Sequence, residues 1–178
     1  MNYLMHQLPL KKIPTRIVYA ARDVNVKNRL IQDTSITYYR MVDTKTGKYL
    51  GEMGASPMDY DPRINTKIYP ELKNFFKSFY VHFMYVYEKH QKVGSELLKI
   101  AHKESKHMGC EGRVNLLASS CYDLKNPPHL FYKKNGFTSV NQELNDYFDK
   151  CISDGVQIDK KYRRNLNMYL PLDNKKSL

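Results

Sequence analysis

Phe79-Tyr80-Val81-His82-Phe83-Met84-Tyr85-Val86 is rich in aromatic and β-branched residues and free of Gly and Pro, so it reads as a buried strand. The chain then turns polar and mostly basic through Glu88-Lys89-His90-Gln91-Lys92-Val93-Gly94-Ser95. After the Gly-Ser pair, Leu97, Leu98, Ala101, Ser105 and Met108 recur at helical spacing until Gly109 closes the element. A strand therefore feeds a basic loop, and the loop feeds a helix N-terminus.

Working outward, Gly112 to Ser119 reads as a strand that Asn126-Pro127-Pro128 prevents from continuing. His129 to Asn135 reads as a short helix with Gly136 as a left-handed cap, followed by a strand over Phe137 to Val140. Leu144, Tyr147, Phe148, Cys151 and Ile152 share one face of a helix over Asn141 to Ser153, and Asn165 to Leu172 alternates as a last strand. Upstream, Arg16 to Ala20 is a short first strand and Asp23 to Gln32 has weak helical character. The clearest hairpin pairs Ser35–Val42 with Lys48–Ala55 around Asp43-Thr44-Lys45-Thr46-Gly47, a type I turn with a glycine bulge. Residues 56 to 70, with three prolines, read as a loop holding a short strand at Ile64 to Tyr69. Glu71 to Lys77 reads as a single helical turn.

A chain of 178 residues with 42% hydrophobic and 26% charged residues is expected to form a single domain over 1–178. Within it, 1–15 is an irregular lead-in, 141–164 a variable helical insertion and 173–178 a frayed tail. No apolar run approaches the roughly 20 residues that cross a bilayer, and Met1 to Leu10 has no cleavable signal pattern, so a soluble cytoplasmic protein with no membrane partner is expected. Cys110, Cys121 and Cys151 form no CxxC pair, and His102 and His107 stand five apart, too far round a helix to share a metal; none is expected. The net charge of +11 draws the protein toward polyanions, whether nucleic acid, membrane surface or phosphorylated cofactor, although a solvated basic surface accounts for it equally.

The order of elements resembles the GNAT superfamily of acetyl-CoA-dependent N-acetyltransferases. That family's pyrophosphate turn, Arg/Gln-x-x-Gly-x-Gly/Ala, is matched by Lys89-His90-Gln91-Lys92-Val93-Gly94, with Lys92 at the first glycine and Gly94 at the second. Leu97-Leu98, Ala101 and Gly109 follow as in a family helix, and Phe131-Tyr132-Lys133-Lys134-Asn135-Gly136-Phe137 resembles its Phe-Tyr-x-x-x-Gly-Phe signature. The resemblance implies an α+β fold with a central, mostly antiparallel sheet, a splayed central strand pair and flanking helices. It covers residues 79 to 140 well and 16 to 55 loosely.

It further implies transfer of acetyl from acetyl-CoA, the cosubstrate, directly to an amine of a small molecule, peptide or protein. Lys89 to Ser95 would hold the pyrophosphate, the backbone of Phe83, Met84, Tyr85 and Val86 the pantetheine arm, and Asn126 would lie near that arm. The Phe83 to Val86 side chains themselves read as core. Tyr132 is the expected general acid to the leaving thiolate, and His82 the candidate base ahead of Glu52 and Tyr80. The alternatives are a catalytically weak or inactive CoA-binding module of the same fold, or a basic nucleic-acid- or ribosome-associated protein. The protein would act as a monomer or homodimer.

Overall fold

The computed structural model describes residues 36–87, 92–119 and 127–172, together with the backbone of 16–22. The weak helix at 23–32, the lead-in and the tail lie outside the described residues. The elements are β1 (Arg16–Arg22), β2 (Thr37–Asp43), β3 (Tyr49–Tyr60), β4 (Phe76–Val86), α1 (Val93–His107), β5 (Val114–Ala118), α2 (His129–Lys134), α3 (Gln142–Asp154), a 3-10 turn (Lys160–Tyr162) and β6 (Leu166–Tyr169). This is a mixed α+β chain. Its contacts divide into two compact units, Met1–Ser56 with Val81–Ala101, and Pro57–Tyr80 with His102–Leu178.

The first unit holds the strand order β1-β2-β3-β4, with β1–β2 and β2–β3 antiparallel. The β2–β3 hairpin forms where its turn residues demand it. The Asp43 carboxylate accepts from the amides of Lys45 and Thr46 at 2.9 Å, and Gly47 N–H donates to the Asp43 carbonyl at 2.8 Å. Tyr39, Met41, Leu50, Met53 and Ala55 are buried, as are Val93, Leu97, Leu98 and Ala101 on α1. Gly51 marks a close approach to backbone: a Cβ built there lies 2.8 Å from both the Tyr85 carbonyl oxygen and Val93 Cγ1.

The second unit carries β3-β4-β5-β6, with β5–β6 antiparallel. Its core gathers Tyr60, Ile68, Tyr69, Phe76 and Tyr169, with Tyr60 stacked on Phe76 at 5.4 Å. The Tyr69 hydroxyl reaches the carbonyls of Val114 and Leu170, each at 3.0 Å, tying a loop residue to the start of β5 and to the residue after β6. Cys110 and Cys151 are free and buried; Cys121 lies outside the described residues. Among the described residues no helix is long and apolar enough to cross a membrane.

Four sequence readings are corrected. β3 runs on through Pro57 to Tyr60, because proline's fixed φ suits an extended chain and only its missing N–H is lost to a ladder. Ile64–Tyr69 is not a strand: Ile64 and Asn65 donate to the Asp61 carbonyl, closing a turn that leaves Ile64 78% exposed. The helical turn expected at Glu71–Lys77 is absent, since β4 already begins at Phe76. Phe137–Val140 shrinks to one bridge, Thr138 to Tyr169, because Asn145 captures the Ser139 backbone, accepting its N–H at 3.0 Å and donating to its carbonyl at 2.8 Å.

Gly51→Ala is expected to lower stability by about 1–3 kcal/mol in urea unfolding, because the nearest obstacle is backbone and cannot rotate away. An unchanged midpoint would show that β3 and α1 are looser than they stand here.

Candidate active site

The second half of β4 from Val81, the turn and α1 as far as Ala101 belong to the first unit. Lys89, His90, Gln91 and Asn126 lie outside the described residues. Lys92 is exposed and holds φ +58, the left-handed region, immediately before α1 begins at Val93. For a residue with a Cβ that conformation costs about 1–2 kcal/mol. The first intrahelical bond runs from Glu96 N–H to the Lys92 carbonyl at 3.0 Å. The amides of Val93, Gly94 and Ser95 thus find no partner within the helix and carry the positive end of its dipole. Val93 and Gly94 are buried.

β4 changes character along its length. Phe76, Ser78, Phe79 and Val81 are buried, whereas His82, Phe83, Met84 and Val86 are half-buried and Tyr85 is exposed. The core expectation for the Phe83–Val86 side chains is therefore wrong. Phe83 instead packs between the rings of Tyr38, 5.6 Å away, and Tyr85, 5.5 Å away, over Gly54, where any Cβ would strike the Phe83 ring.

His82 Nε2 lies 2.8 Å from the hydroxyl of Ser56, itself fully buried. Burial pulls the His82 pKa below its ordinary value, so the ring is neutral at pH 7. Glu52 is engaged elsewhere, accepting from Tyr87 Oη at 2.9 Å and Arg40 Nε at 3.3 Å. The Tyr80 phenol is pushed up by burial, which makes it a poor base.

Tyr132 lies on α2 in the second unit. It is 9% exposed, with its ring against Phe131 at 5.3 Å and Phe137 at 5.9 Å. Burial pushes its phenol up to about 12, so it stays protonated across the neutral range. The spacing to Gly136-Phe137 also closes α2: Gly136, at φ +86, donates to the Lys133 carbonyl at 3.0 Å, and Phe137 N–H donates to the Tyr132 carbonyl at 3.1 Å. His82 and Tyr132 fall in different units.

Two polar residues escaped the sequence reading. Ser56 did because Pro57 pointed to a loop. His129 is wholly buried and its Nε2 lies 2.7 Å from the Arg164 carbonyl, 35 residues on, a pairing with no local signal. A carbonyl can only accept, so His129 carries its proton on Nε2, and the buried Nδ1 has no partner among the described residues. Burial holds its pKa below the usual histidine value.

No family model matches the sequence, and neither does any curated protein. Among solved structures, AtaT complexed with acetyl-methionyl-tRNAfMet aligns over 76% of this chain and 71% of its own, at 12% identity and a TM-score of 0.49. A crystal structure of a bacterial toxin aligns over 77% of this chain and 68% of its own, at 12% identity and a TM-score of 0.47. Both scores fall below 0.5, where a superposition no longer establishes a shared fold.

Lys92→Gly should unfold at equal or higher urea concentration than the parent, the relieved strain offsetting glycine's entropic cost of about 0.5–1 kcal/mol. A clear loss of stability would mean that the Lys92 side chain holds the turn. A second expectation concerns pH. In the unfolded chain His82 and His129 titrate near about 6.5, above their folded values, so the unfolded state binds the extra protons. Their contribution is complete above that pH and is lost as pH falls through the window below it. Thermal melts should hold steady from pH 8 to 7 and drop below 6.5, well before the carboxylates titrate; a flat midpoint down to pH 5 would contradict this.

Proposed function

We propose that this protein is an N-acetyltransferase of the GNAT type, moving an acetyl group from acetyl-CoA directly to an amine. The observation that carries the reading is the backbone at Lys92. The family places a glycine at this position of its pyrophosphate turn, and Lys92 adopts the left-handed conformation that glycine favours, directly at the start of α1. The neighbouring amides of Val93, Gly94 and Ser95 are a donor set that suits a pyrophosphate, and the Lys92 ammonium adds positive charge.

Acetyl-CoA supplies an activated thioester. Attack by the amine nitrogen forms the C–N bond and breaks the C–S bond, releasing a thiolate and leaving a proton to be removed from nitrogen. In this reading Tyr132, protonated to about pH 12, delivers a proton to the departing sulfur. His82, neutral at pH 7 and within hydrogen-bond reach of Ser56, takes the amine proton directly or through water. A pantetheine arm would pair as an added strand with the main chain of His82 to Val86, where no residue of β4 is fully buried. The burial of Tyr132 among Phe131 and Phe137 favours a second reading, a module that binds CoA without turnover.

Millimolar acetyl-CoA should raise the melting temperature, and an amine panel should release free CoA. Tyr132→Phe should reduce kcat by about 10²–10⁴-fold while the melting shift persists. A melting shift without turnover on any amine selects the second reading; no shift at all overturns both. The pH profile of kcat/KM should rise with one apparent pKa below the ordinary histidine value and stay level into the alkaline range, since Tyr132 does not ionise there.

A further inference from the structure

The segment Ile158–Leu166 is latched to the rest of the second unit at two points and braced by bonds of its own, and a cleft lies between it and the start of α3. Asp159 N–H donates to Tyr147 Oη at 2.9 Å, joining the segment to α3. The Asp159 carboxylate caps Lys161 N–H at 3.0 Å, and its carbonyl accepts from Tyr162 N–H at 3.0 Å. The Arg164 carbonyl is held by the buried His129. These bonds fix an aromatic pair, Tyr147 and Tyr162, with ring centroids 4.5 Å apart and planes inclined by 44°.

The cleft they wall has a volume of about 340 Å³. That is near the lower end of the roughly 300–1,000 Å³ usual for small-molecule sites. Its charged lining is Lys161, Arg164 and Glu143, two cations against one carboxylate, with Asn165 beside them. Lys161 Nζ stands 4.7 Å from the Tyr162 ring centroid, so ring and ammonium form one joint feature. Arg164 and Asn165 are exposed, Tyr147 and Tyr162 half-buried.

An inclined pair of phenol rings at this separation cannot admit a third ring between them but offers a wall against which one can stack. Beside that wall stand two cations for an anionic group and a carboxylate that accepts from an amino group. We propose that this cleft binds a nucleoside phosphate: the base lies on the Tyr147–Tyr162 wall, its exocyclic amine faces Glu143, and its phosphate meets Lys161 and Arg164. Aromatic stacking beside a cation is the general chemistry by which proteins hold unpaired bases. The cleft takes either a free nucleotide or one unit of a single strand, and it is independent of acetyl transfer.

The test is fluorescence anisotropy on the full chain with labelled tetra-adenylate and tetracytidylate at low salt, with AMP as competitor. Both labelled probes should bind. AMP that displaces them points to free nucleotide as the occupant, and AMP that does not points to the strand. Tyr162→Ala should weaken binding by about tenfold or more, Tyr162→Phe should retain it, and Lys161→Ala with Arg164→Ala should flatten the dependence of log affinity on log salt by about 1.4. Tetrauridylate, lacking the exocyclic amine, should bind several-fold more weakly, a difference that Glu143→Ala abolishes. No binding of either probe, or wild-type affinity in both Tyr162→Ala and the exposed Lys161/Arg164 double variant, overturns the proposal; uridylate bound as well as adenylate overturns the role of Glu143.

Discussion

Much of this protein depends on one strand being sealed at one end and open at the other. β4 begins with Phe76, Ser78, Phe79 and Val81 buried, and Phe76 stacks on Tyr60 in the core of the second unit. From His82 onward no residue is fully buried, and Gly54 withholds a side chain where the Phe83 ring lies. The run that reads as uniformly apolar therefore does two jobs. Its first half contributes hydrophobic area removed from water, and its second half leaves His82 and its neighbours only partly buried.

Burial acts on the two candidate catalytic side chains in a useful way. Removing His82 from water disfavours its charged form and leaves a neutral base at pH 7, while the same effect on Tyr132 keeps a proton on its phenol. The cost of hiding each polar group is met differently. The Ser56 hydroxyl accompanies the His82 ring, whereas Tyr132 sits against two phenylalanines.

Elements whose ends are fixed by local chemistry were legible in the sequence. The Asp43–Gly47 turn dictates the β2–β3 hairpin, Asn141 caps α3 by accepting from Leu144 N–H, and Gly155 at φ +66 ends it. What failed were segments decided by distant partners. Asn145, six residues away, removes the Ser139 backbone from a strand, and Tyr69 becomes a loop anchor because its hydroxyl serves carbonyls 45 and 101 residues further on. The motif residues of the candidate site were visible as spacing. Their environment was not: nothing in the run Phe79–Val86 foretells where burial stops, and nothing near His129 announces Arg164.

The interleaving of the chain between its two units bears on the order in which they are made. The first is complete once Ala101 has been synthesised, when the second has only Pro57–Tyr80 in hand and still awaits every residue from His102 onward. A chain emerging at about 5–20 residues per second leaves an interval of several seconds in which β2, β3 and α1 can associate while the partners of Tyr60, Tyr69 and Phe76 are still unmade. During that interval the N-terminal half of β4 presents its aromatic side chains to water, and it is this segment that a chaperone or a neighbouring nascent chain would meet first.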